Sequence, residues 1–151
     1  MQLRQFRIDL TGATLVDGNW ALAGRSTLDS SNSIVFTELG TSGVDARWQR
    51  DWYVDTTGTF AATLAFNFSD ADLTNGGFSD FALLFRDLLT DDYSVINVPA
   101  QLIGDTITFQ LPSGQLVDGY YTLGLVVPEP STACLAGLGL ALLAVRRRRR
   151  R

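Results

Sequence analysis

The chain reads as mainly β: an antiparallel β-sandwich followed by a single C-terminal hydrophobic helix. Three observations carry that reading. Apolar and polar residues alternate at period two over several short stretches. Breaks bearing Gly, Asp or Asn separate most of those stretches, at a spacing of about ten residues that suits a sandwich. An apolar run at 132–145 then leads into six consecutive arginines, Arg146, Arg147, Arg148, Arg149, Arg150 and Arg151.

In chain order, residues 6–10, 33–39 and 47–54 are the first strand candidates. The clearest is 59–68, with Phe60, Ala62, Leu64, Phe66 and Phe68 on one face and Ala61, Thr63, Ala65 and Asn67 on the other. Gly58 before it and Ser69-Asp70-Ala71-Asp72 after it are turn chemistry. Residues 80–86 follow; Leu83, Leu84, Leu88 and Leu89 also allow a helical turn over 81–89, and a strand ending near Arg86 is preferred. Residues 93–98 are next. Then 105–111 alternates Ile107, Phe109 and Leu111 against Thr106, Thr108 and Gln110, the Thr-rich face expected of a sheet wetted on one side. Residues 120–126 complete a body that spans 1–126 as one domain, with 127–151 as a separate tail.

Charge divides the chain at the same place. Up to Val127 there are fifteen carboxylates against six arginines, a net of −9, whereas the last six residues are all arginine. An acidic body repels phosphate backbones, so no nucleic-acid partner is expected. The chain has no histidine and one cysteine, Cys134. An intrachain disulfide, Cys/His zinc sites and the His-dependent triads and dyads therefore lack their residues. Carboxylate-pair chemistry survives, but the acidic residues fall mostly at turns, where solubility accounts for them. Neither enzymatic activity nor a cofactor is expected.

Three groups are candidate sites in the body. Trp48, Arg50 and Trp52 fall on one face of an extended strand, where two indoles and a guanidinium would make a stacking platform for extracellular polysaccharide. The competing reading puts one indole in the core with Arg50 covering it at the edge, and the dominance of aromatics in cores weighs toward it. Asp70, Asp72 and Asn75, ahead of Gly76-Gly77, supply calcium-type oxygen ligands, with Asp91 and Asp92 as further donors. Their spacing departs from an EF-hand, so no metal is assigned and solvated turns account for them. Asn67-Phe68-Ser69 fits the glycosylation acceptor pattern but carries little weight.

The tail is the most specific signal. As a helix, the fourteen residues 132–145 would span about 21 Å, short of a bilayer core of about 30 Å, with arginine snorkelling recovering part of the difference. Arg146, Arg147, Arg148, Arg149, Arg150 and Arg151 belong on the cytoplasmic side as a stop to transfer, which puts the acidic body across the membrane. Pro128 and Pro130 keep the preceding segment extended.

Val127-Pro128-Glu129-Pro130-Ser131, the Leu/Gly/Ala-rich run and the arginine cluster together resemble the PEP-CTERM protein-sorting signal of Gram-negative envelope proteins. The resemblance implies that a membrane-embedded exosortase reads the tail and cleaves near 128–131. An inner-membrane-anchored precursor then becomes a cell-surface or extracellular-matrix protein. Family members begin with a secretory leader, and no apolar h-region precedes Gly12, so either a start upstream of Met1 or a longer secreted parent is expected.

A second, looser resemblance covers about 45–126. Arg50-Asp51-Trp52-Tyr53-Val54, Thr57-Gly58, the 81–86 segment, 104–109 and 118–124 look like a β-sandwich module from the C-termini of large bacterial surface proteins. It implies a structural or adhesive role with no catalytic residues to carry over.

Overall fold

The computed structural model describes residues 6–11, 17–25, 33–40, 43–69 and 80–126. These form β1 (Phe6–Thr11), β2 (Trp20–Arg25), β3 (Ile34–Val35), β4 (Ala46–Trp48), β5 (Trp52–Thr57), β6 (Ala61–Asn67), β7 (Asp80–Arg86), β8 (Ser94–Ile96), β9 (Ala100–Ile103), β10 (Thr106–Leu111) and β11 (Gly119–Val126). Among the described residues there is no helix, and so none long and apolar enough to cross a membrane. The expected helix at 132–145 lies outside them.

Two antiparallel sheets result. The first runs β1-β6-β10-β9. The second is built around β11: along one edge it pairs with β5 and then β4, along the other with β7, while β2, β3 and β8 extend the periphery. Alternation explains how the sheets face each other. Leu64, Phe66, Ile107 and Phe109 turn inward from the first sheet and meet Trp48, Trp52, Val54, Leu83, Tyr121, Leu123 and Leu125 from the second. Phe66 sits at the centre, with ring centroids 5.0 Å from Phe6, 5.6 Å from Trp52, 6.0 Å from Phe109 and 6.1 Å from Trp48. The architecture is sandwich-like, as the alternation predicts.

The differences from expectation have local causes. β9 is a strand that the periodicity did not reveal, because Ala-Gln-Leu-Ile alternates weakly. Its hairpin signal was present, however: Gly104-Asp105 forms the two-residue connection to β10, with Gly104 at φ 65°. β2 was also missed; Trp-Ala-Leu-Ala-Gly-Arg has no polar face, and most of it stays exposed at the edge of the sheet. The candidate 47–54 is two strands rather than one. Arg47 lies opposite Gly124 and Trp52 opposite Tyr121, so Gln49, Arg50 and Asp51 together face the single residue Thr122. That two-residue excess is a β-bulge.

The start of β11 is fixed by two contacts. The Tyr121 hydroxyl donates to Val117 O at 2.8 Å and accepts from Val117 N at 3.0 Å, a tyrosine corner four residues long. Gly119, at φ 145°, lies so close to β7 that a Cβ would come within 2.5 Å of the Phe85 ring and 2.8 Å of Arg86 O.

Two consequences can be measured. Phe66→Ala should cost about 3–5 kcal/mol in urea unfolding, because four rings lose their common partner. Burial, the largest cause, pushes the Tyr121 phenol from 10.0 up to about 12. A raised folded-state value makes its contribution complete below about pH 10 and lost as the pH climbs toward 12. Denaturation midpoints measured across that window should fall in the native chain and fall less steeply in Tyr121→Phe.

Candidate functional site

The bulge between β4 and β5 brings together charges that were not recognised as a group in the sequence. Thr122 is fully buried opposite it, and its Oγ1 lies 2.8 Å from Arg50 O and 3.2 Å from Trp48 O, sharing its proton between them. Arg47 Nη1 donates to Trp48 O at 2.8 Å and to Gln49 O at 3.1 Å. The carbonyls released from the ladder are thus satisfied by side chains. The Asp51 carboxylate, fully buried, accepts from Arg86 Nη2 and from the Tyr93 hydroxyl, both at 2.7 Å.

Glu38, at the left-handed φ of 61°, bridges Arg47 and Arg86, and its carbonyl accepts from Tyr93 N at 2.9 Å. The Tyr93 ring lies 4.5 Å from the Arg86 guanidinium carbon and 4.9 Å from that of Arg47. Burial first, then the Asp51 charge, pushes the Tyr93 phenol far above its ordinary value and keeps its donor proton in place. For Arg86, burial acts to lower the pKa, but Tyr93, Asp51 and Glu38 outweigh it and the net shift is upward.

This network lies on the outward side of the second sheet and supports a more exposed row. Because Trp52, Tyr121 and Phe85 point inward, their neighbours Tyr53, Tyr120 and Arg86 point outward, and Gly24 of β2 is opposite Tyr53. The row across four strands reads Gly24, Tyr53, Tyr120, Arg86. The two phenol rings are 5.0 Å apart at 58°, and Arg86 lies 5.6 Å from the Tyr120 ring. Tyr53 is 39% exposed. Trp20 and Leu22 continue the outward side of β2, opposite Thr57 and Asp55.

A cleft of about 620 Å³ opens beside the row, between the β5–β6 turn and the loop after β10. Phe85, Leu116 and Val117 line it along with the carboxylates of Asp87 and Asp118. Asp118 accepts from Thr56 N at 2.7 Å and from Thr56 Oγ1 at 2.8 Å. Desolvation, followed by Asp118, Asp55, Tyr120 and Asp87, holds the Tyr53 phenol above its ordinary value.

The tryptophan platform is not on the surface, and the competing core reading holds for both indoles. Trp48 and Trp52 do share a face, but it is the inward one: they are 1% and 6% exposed, 6.1 Å apart, and part of the core. Arg50 lies in the bulge, also buried. The outward aromatics one step out of phase, Tyr53 and Tyr120, hold the surface instead. Their signal was available, since each follows or precedes a core aromatic where alternation calls for a polar residue. Asp91 and Asp92 are exposed after β7, whereas Asp70, Asp72 and Asn75 lie outside the described residues. Among the described residues, no three acidic, His or Cys side chains are grouped to hold a metal ion.

β11 gives the molecule a direction. Its Gly119 end lies at the cleft and its Val126 end, where Asp80 is its partner, leads into the tail. The cleft and the start of the tail thus lie at opposite ends of this strand. Residues 126–151 match the family model of the PEP-CTERM protein-sorting motif, so the chain carries that signal from the last residue of β11 onward. No curated protein and no solved structure matches the chain. The motif implies a membrane-anchored precursor that an exosortase processes and that is exported to the cell surface. The expected sorting residues Val127, Pro128, Glu129, Pro130 and Ser131 fall within the match and outside the described residues. The same holds for the expected cytoplasmic stop, Arg146, Arg147, Arg148, Arg149, Arg150 and Arg151.

Removing one partner from the buried pair leaves an uncompensated charge. Asp51→Ala or Arg86→Ala should each cost about 3–5 kcal/mol, while Asp51→Leu combined with Arg86→Met should cost less than either single change. Urea denaturation of the three variants checks this.

Proposed function

We propose that this protein is a non-catalytic display module of structural or adhesive type, held at the membrane as a precursor and released to the cell surface or matrix. One observation carries the reading: the sorting motif begins at residue 126, where β11 ends, so the whole described body lies upstream of the signal. Pro128, Glu129 and Pro130 would be read by the exosortase, residues 135–145 would hold the precursor in the bilayer, and Arg146 to Arg151 would stop transfer on the cytoplasmic side. Cleavage between 128 and 131 would leave β11 whole. With β11 rising about 3.3 Å per residue, the cleft and tyrosine row stand a strand's length from the attachment point.

Mass spectrometry of surface material should find a C-terminus within 128–130 in the native chain and a retained tail when Pro128 and Pro130 are both changed to Ala. An intact arginine tract on native surface material would instead make the protein a permanently anchored one and overturn the processing step.

A further inference from the structure

We propose that the outward row of Gly24, Tyr53 and Tyr120, rimmed by Asp55, Asp87 and Asp118, binds a polycationic amino-sugar polymer, a glycan carrying free protonated amines. This goes beyond the display reading and does not depend on how the tail is processed.

The first argument is shape. Tyr120 is flanked on one side by Arg86, which Asp51 and Glu38 already engage, and on the other by Tyr53. The far flank of Tyr53 faces Gly24, and a Cβ built there meets nothing within 4 Å. Glycine weakens a strand unless something must approach closely. Here, on the edge strand, it leaves open space one side chain deep beside an exposed phenol, in continuity with Leu22 at 65% exposure and with Trp20. A flat ring with an apolar face can lie in that space against Tyr53, with its hydroxyls toward Asp55.

The second argument is charge. Among the described residues, the carboxylates that act on Tyr53 are Asp118, Asp55 and Asp87, the first and last lining the adjoining cleft. Arg25, the nearest cation of β2, alternates to the opposite side of the strand, in register with Trp52. An acidic polysaccharide meets repulsion here and a neutral one gains nothing from the rim, whereas repeated ammonium groups are attracted both to the carboxylates and to the phenol faces. A lysine-rich peptide offers the same charge, but a single ammonium on a flexible stem is held best in an enclosing pocket. This face is an open sheet, which suits a stiff polymer of flat rings that loses little conformational entropy on binding.

The test uses the purified full chain in detergent, titrated calorimetrically with a glucosamine hexamer, its fully N-acetylated counterpart, maltohexaose and hexalysine. The free-amine hexamer should bind tightest. Tyr53→Ala should weaken it about tenfold. Gly24→Val, which fills open space with a good strand former, should abolish binding while leaving the melting temperature unchanged or higher. That combination separates a ligand notch from a merely structural glycine. Equal affinity for the N-acetylated hexamer or for maltohexaose would overturn the charge argument. Tighter binding of hexalysine would reassign the face to a basic peptide, and binding indifferent to both Tyr53→Ala and Gly24→Val would remove the site altogether.

Discussion

The buried contact between Asp51 and Arg86 is the constraint from which the rest of the second sheet follows. A carboxylate and a guanidinium, both removed from water, depend on good mutual geometry and on hydrogen bonds beyond the pair, which here converge on one carboxylate oxygen and leave Asp51 Oδ1 without a hydrogen-bond partner. Tyr93 supplies a donor to the carboxylate, while Glu38 and the Leu89 carbonyl accept from the guanidinium. Asp51 makes these contacts from the bulge between β4 and β5, outside the strand ladder. Thr122 and Arg47 then complete the arrangement by satisfying the carbonyls the bulge exposes. The polar cluster on one side of the sheet and the aromatic core on the other are thus two sides of the same irregularity.

That irregularity also marks where the sequence was legible and where it was not. Strands whose side chains alternate cleanly, β6 and β10, are visible from pattern alone, and β7 ends at Arg86 as the strand reading expected. Period two reports which residues share a face but not which face is buried. Trp48 and Trp52 were correctly placed together, and a core role outweighed the surface platform only on the general dominance of aromatics in cores, because nothing within the segment distinguishes inward from outward. The ion cluster was invisible for a different reason. Its members, from Glu38 to Tyr93, are separated by up to tens of residues, and only the pairing of β11 with both β4 and β7 brings Arg47 and Arg86 to a common carboxylate. A local hint did exist, in that Arg47 stands between Ala46 and Trp48, and a charge inside an apolar triplet needs a partner.

The outward tyrosines acquire their setting from the same cluster. Arg86 is at once the partner of Asp51 and the cation beside Tyr120, so the inner edge of the row is rigid while its outer edge, at Gly24, is open. A binding surface built on strands and braced from one side needs little reorganisation to receive a ligand. The tail motif and this surface were readable to very different degrees. The first is a contiguous string whose meaning survives without a fold, whereas the second exists only as a register across four strands.

The order of elements along the chain ties the two together. Among the described residues, the β2-β5 and β3-β4 pairs join β7 and β8 only through β11, the last strand of the body. Tyr121, Leu123 and Leu125, all fully buried, fill the inward side of that strand, and Thr122 fills the bulge from its outward side. The second sheet is therefore incomplete until the chain has been supplied as far as Val126, the residue at which the sorting motif begins. A folded body and an available sorting signal are consequently reached at nearly the same point along the chain. The strand that completes the second sheet is therefore also the one from which the sorting motif continues. Pairing on both of its edges is what suits it to that position, since a strand held by hydrogen bonds on two sides must break both ladders to be pulled free.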